Sequence, residues 1–212
     1  MTIYEIKEKK DKKVETMYNK AMRELDKFFK LGWKRNKPVV IILNNRKQID
    51  ELWGCKTQSW LIAFAEENKI FLLDQKNYEK ESSHKYSDKE YFQLIKHELS
   101  HLFFRIVCKN ETFKQFIWFN EGVAGFLSGQ YKTRPKPEKF DKFINQYSLW
   151  NGKAYQESAY AVKLLFDKFG KPKLLNLIKS LKNVKSQKDF NKNFKNIYGS
   201  EPTYNFFNKL LK

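Results

Sequence analysis

An α+β fold is what this sequence predicts: a small mixed sheet, then a long helix, then a mostly helical C-terminal half. Three observations predict it. Short apolar runs rich in β-branched residues are confined to the first third of the chain, before residue 75. Helical periodicity dominates after about residue 87. Of the 212 residues, 41% are hydrophobic and 17% aromatic, enough to build a sizeable core from large rings. That composition excludes a globally disordered chain. The length suits one domain, 1–212, read as an N-terminal helix (1–31), a sheet with the first long helix (33–108) and a helical remainder (109–212).

Residues 8 to about 31 form a charged amphipathic helix, with Val14, Met17, Tyr18, Met22, Leu25, Phe28 and Phe29 at helical spacing. Gly32 ends it. "VVIILN" after Pro38 is a buried strand, and "NRKQIDELWG" a short helix or turn ending at Gly54. "SWLIAFA" and "KIFLLD" are two strands joined across the polar "EENK", with "KIFLLD" expected at the edge. Residues 75 to 86 read as a polar loop. Ser87 with Glu90 then fits a capping box, and Tyr86 with Tyr91 a hydrophobic staple. The helix they open should run to about Cys108. A second helix should contain "NEGVAGFLSGQY", followed by a loop holding Pro135 and Pro137. From Ala154 onward, helical patterns are punctuated at Gly170 with Pro172, at Gly199 and at Pro202.

The formal charge is +18, from 42 Lys and Arg against 24 Asp and Glu. Such a balance steers toward acidic or otherwise anionic partners. The lysines are scattered rather than clustered, so the charge reads as compositional bias and nucleic-acid binding is not expected. Cys55 and Cys108 are too few and too far apart for a disulfide framework. The start, "MTIYEIKEKKDKK", has no apolar stretch after its basic residues, and no window is apolar enough to span a membrane. A cytoplasmic protein is the expectation. Oligomeric state has no signal here.

"HELSH", residues 97 to 101, carries the chemistry. His97 and His101 are four apart, so on a helix both rings leave one face a turn apart. That spacing lets two imidazoles reach one Zn²⁺ at about 2.0–2.1 Å. Glu98 cannot easily share the ion, but it can reach a water held there and act as general base on it. A catalytic zinc wants a third protein ligand and an open position. His84 lies in a polar loop, and no cysteine is near. Glu121 in "WFNEGVAGF" is the best choice: nineteen residues separate it from His101, room for a turn and a second helix. Its competing reading is an acid favoured in the first turn of a helix.

HELSH followed by NEGVA resembles the gluzincin metallopeptidases, and "WFNEGVA" is especially similar to the aminopeptidase branch and the peptidase MA-like group. "AYQESAYAVKLLFDKFGKPKLLNLIKSL" and "DFNKNFKNIYGSE" are similar to the C-terminal helices of that group. The likeness covers roughly residues 38 to 212. It implies a zincin-like fold, one Zn²⁺ per chain held by His97, His101 and Glu121, and Glu98 as general base and proton shuttle. It implies that Tyr155 donates a hydrogen bond to the oxyanion, with Tyr160 as competitor, and that an edge strand pairs with an extended peptide. The implied activity is hydrolysis of peptide bonds in peptides or unfolded proteins.

Three features depart from the family. The G-x-M-E-N motif that grips a substrate amino terminus is absent, and "AEEN" at 65–68 is only a faint echo, which favours an endopeptidase. Gly125 and Ser128 stand where a carboxylate often orients a ligand histidine, leaving Asn120 and Glu157 as candidates for that support. The closing domains of large aminopeptidases are missing. The alternative reading is a catalytically silent zinc-binding scaffold or a basic nucleic-acid-associated protein, and the retained Glu98 argues against it. The helix at 8–31 could also lie over the site, although its apolar stripe favours packing.

Overall fold

The computed structural model describes residues 7–110, 116–144 and 152–212. Its α+β character is as expected: a three-stranded mixed sheet with eight α-helices among the described residues. The first six residues of the N-terminal stretch lie outside the described residues. The chain divides into two compact units, Met1–Leu99 and Ser100–Lys212. The division falls inside one continuous helix.

In the first unit, α1 (Lys12–Phe29) is capped by Asp11, whose side chain accepts from the Val14 amide, and ends at Lys30 in the left-handed region. It packs along the N-terminal half of α4 (Asp88–Cys108). Lys13 pairs with Asp88, Lys20 lies 4.7 Å from the Phe92 ring centroid, and Lys96 meets Glu24 at 2.6 Å. His97 and His101 are turned by roughly 100–140° from Lys96 around α4. So α1 packs against a side of α4 other than the histidine face, as its buried Val14, Ala21, Met22, Leu25 and Phe29 require.

Strands β1 (Val39–Leu43), β2 (Ala63–Glu66) and β3 (Lys69–Leu73) take the order β1-β3-β2. β1 runs parallel to β3, and β2 antiparallel to it. The expectation that "KIFLLD" forms the edge is therefore corrected: β3 is central. Its Ile70, Leu72 and Leu73 are fully buried, whereas β1 exposes Val39 and β2 ends on Glu66. β2 is also shorter than "SWLIAFA". The guanidinium of Arg46, in the first turn of α2 (Arg46–Trp53), donates to the carbonyls of Ser59 and Leu61, so that backbone cannot join a ladder. The expected loop at 75–86 contains a one-turn helix, α3 (Tyr78–Glu81), because Tyr78 is buried against Tyr91 with ring centroids 5.8 Å apart. α4 opens as expected: Ser87 Oγ accepts from the Glu90 amide at 3.1 Å, and the Tyr86 and Tyr91 rings lie 5.8 Å apart.

The second unit is helical. It contains α5 (Ile117–Ser128), α6 (Gly152–Ser180), α7 (Gln187–Tyr198) and α8 (Tyr204–Leu211). The second helix ends at Ser128 with Gly129 at φ 82°, so Gln130 and Tyr131 fall in a following 3₁₀ turn. Gly170 breaks α6 at φ 79° just before Pro172, and the helix then resumes. Trp118 centres the aromatic core, within 4.9–5.8 Å of Phe143, Phe119, Phe207 and Phe190. Asn110 ties the end of α4 to the end of α6 by donating to the carbonyls of Leu181 and Val184.

Candidate metal centre

α4 is one unbroken helix from Asp88 to Cys108, so the four-residue spacing of His97 and His101 becomes a spatial fact: both rings leave the same face. α5 brings the third group. Trp118 and Phe119 are buried in the aromatic core, and that anchorage fixes the rotation of the helix that carries Asn120 and Glu121. Glu121 is the fifth residue of α5, beyond the first turn, so a favourable helix-terminus charge does not account for it.

One ligand atom from each of His97, His101 and Glu121 can be chosen so that all lie within 4.8 Å of one another. Atoms bound to a single ion at about 2 Å each must lie closer together than about 4.2 Å, so the three side chains would have to close slightly to share one. His101 Nε2 is 3.6 Å from Glu121 Oε2. The two side chains are 12% and 19% exposed, sheltered but within reach of a small ion. The other ring nitrogen, His101 Nδ1, donates to Asn120 Oδ1 at 3.2 Å. A proton on Nδ1 leaves the lone pair on Nε2, the atom facing Glu121, and that is the tautomer a metal needs. Two adjacent residues of α5 thus face one histidine: Asn120 at Nδ1, and Glu121 beside Nε2.

Glu98 follows His97 by one residue, about 100° around the helix, and is buried at 6% exposure. Among the described residues it belongs to no candidate ligand triplet. His84 is engaged elsewhere, with Nε2 3.0 Å from the Trp60 carbonyl oxygen. Tyr155 lies half-buried in the first turn of α6. A Cβ placed on Gly122 would come within 2.6 Å of Ser158 O and 2.7 Å of Val162 Cγ2, and one on Gly125 within 2.8 Å of Ala159 Cβ. Ser158, Ala159 and Val162 therefore form the stripe of α6 that meets α5. Tyr155, three and four residues ahead of Ser158 and Ala159, shares that stripe. Tyr160 is turned roughly 140° from Tyr155 and packs edge-on against Tyr131, with centroids 6.2 Å apart.

Of the two candidates for orienting a histidine, Asn120 takes the role. Glu157 instead accepts hydrogen bonds from the backbone amides of Asp141 and Lys142. That arrangement had no sequence signal, because backbone amides are the same at every position. "AEEN" falls at the β2–β3 turn, where Glu67 pairs with Lys69 at 2.7 Å.

No protein-family model, curated protein or solved structure matches this chain.

Proposed function

We propose that this chain is a zinc-dependent metallopeptidase with a zincin-like fold of the gluzincin, peptidase MA-like kind. One observation carries the reading: His97, His101 and Glu121 converge, and His101 turns Nδ1 to Asn120 Oδ1 and Nε2 to Glu121. Two imidazoles and one carboxylate are a donor set that suits Zn²⁺ and leaves a position open. When bound, the ion polarises a carbonyl and lowers the pKa of a coordinated water toward ~7.

The chain's own residues supply the rest. Glu98 accepts the proton of the attacking water at its carboxylate and delivers it to the amine as the C–N bond breaks. A purely structural zinc site has no need of a carboxylate beside its histidines. Tyr155, on the stripe of α6 that meets α5, donates a hydrogen bond to the oxyanion. Such a donor contributes about 2.7–4 kcal/mol to the transition state. The absence of an amino-end anchor favours an endopeptidase acting on peptides or unfolded chains. The +18 charge favours acidic ones.

Metal removal tests the proposal. Cleavage of an unstructured acidic protein should stop when the chain is stripped by a chelator and return with one equivalent of Zn²⁺. The Glu121→Gln variant should need far more zinc for the same recovery. Full activity in the stripped protein would contradict it.

A further inference from the structure

The first turn of α6 carries Tyr155 on its α5-facing stripe, and its other residues are clasped by the segment 134–144. The Arg134 guanidinium donates to the Gly152 carbonyl, and the Gln156 amide donates to the Pro135 carbonyl. Lys153 pairs with Asp141 at 3.4 Å. Glu157 Oε2 accepts from the Asp141 amide at 3.0 Å and the Lys142 amide at 2.8 Å. The segment is itself fixed from α8. Phe140 and Asn208 exchange two hydrogen bonds, at 2.8 and 3.1 Å, and the Ile144 amide donates to Tyr204 Oη at 3.1 Å.

Glu157 is the unexpected member of this clasp. It is fully buried, and its Oε1 has no hydrogen-bond partner among the described residues. Burying a carboxyl with one oxygen unserved is unfavourable, and an apolar side chain would fill the space without that cost. What an apolar side chain cannot do is bind two consecutive backbone amides and so fix the register of the segment against the helix.

We propose that Glu157 is a positioning residue for Tyr155: by holding the Asp141 and Lys142 amides it sets the first turn of α6 and the placement of the Tyr155 ring. The catalytic half of this inference rests on Tyr155 as the oxyanion donor; the structural half does not.

The test uses the metal-free full-length chain with 3-fluorotyrosine at position 155, observed by ¹⁹F NMR, beside steady-state kinetics of the zinc-loaded protein. In E157L, which removes the acceptor that E157Q would keep, the Tyr155 resonance should shift or broaden while the cooperative unfolding transition is retained. kcat should fall about 10–100-fold with KM little changed. In the Tyr155→Phe background, E157L should cost no further activity. An unchanged resonance overturns the anchoring. An equal loss of kcat in both backgrounds overturns action through Tyr155. If Tyr155→Phe keeps full kcat, the oxyanion assignment fails and the resonance still decides the anchoring. Asn208→Ala, which releases the segment at its α8 end, should produce the same spectral change and decides the matter if E157L does not fold.

Discussion

His101 presents Nδ1 to Asn120 and Nε2 to Glu121. A 3.2 Å hydrogen bond to Nδ1 selects the tautomer with Nε2 bare and restricts ring rotation. Asn120→Ala should therefore weaken zinc binding about 10–100-fold in competition with a chromogenic chelator, and Asn120→Asp should restore most of it. Unchanged affinity in the alanine variant would show that the ring is held by something else. The shared face of His97 and His101 was readable from the sequence because helix geometry converts a spacing of four into one side of the helix. The orienting residue was not. Asn120 and Glu157 were equal candidates by spacing, and only the packing of α5 and α6 separates them: one amide reaches the histidine, while the other side chain turns to backbone amides of the segment 134–144.

At the scale of elements, the α5–α6 contact holds the site's second half together, and glycine makes it close. A Cβ at Gly122 would stand 2.6 Å from the Ser158 carbonyl oxygen, a backbone atom that cannot swing aside. Gly122→Ala should destabilise the protein by about 1–3 kcal/mol in urea unfolding, despite alanine's better helix propensity. A stabilised variant would mean that the two helices separate without cost. This gives the "NEG" glycine a physical reason that sequence alone could not, since the need for it lies on a helix more than thirty residues away. Where helix starts and stops were readable, it was because capping is local: Ser87 and Gly199 act within a turn of themselves, whereas Gly129 was read as lying inside its helix. Strand order was not, because the parallel pairing of β1 with β3 is non-local and displaces β2 to the edge. The guanidinium that shortens β2 comes from α2, with no trace in the strand's own residues.

For the whole molecule, buried and capped carboxyls shape the response to pH in opposite directions. The Thr57 hydroxyl and amide hold the Asp50 carboxyl below its ordinary 3.8, and the Ser186 hydroxyl with nearby amides does the same for Asp189. Their stabilisation is complete above the unfolded value and is lost as pH falls through the lower native one. Glu157 has the other sign. Burial raises it above 4.5, opposed by the Lys142 and Asp141 amides, so the native state holds its proton more firmly than the unfolded chain. Its contribution is greatest below 4.5 and erodes as pH rises through the raised native value. Glu157→Gln should flatten the decline in urea midpoint above pH 4.5. Parallel curves for variant and native chain would contradict that.

The catalytic reading as a whole depends on a carboxylate doing proton chemistry beside a metal it does not bind. The most direct measurement compares the native chain with Glu98→Gln, at equal zinc content verified by metal analysis, for cleavage of an unstructured protein. The expected result is one zinc per chain in both proteins, with cleavage lost only in the variant. Equal cleavage by the two, or a native chain that takes up no zinc, would contradict it.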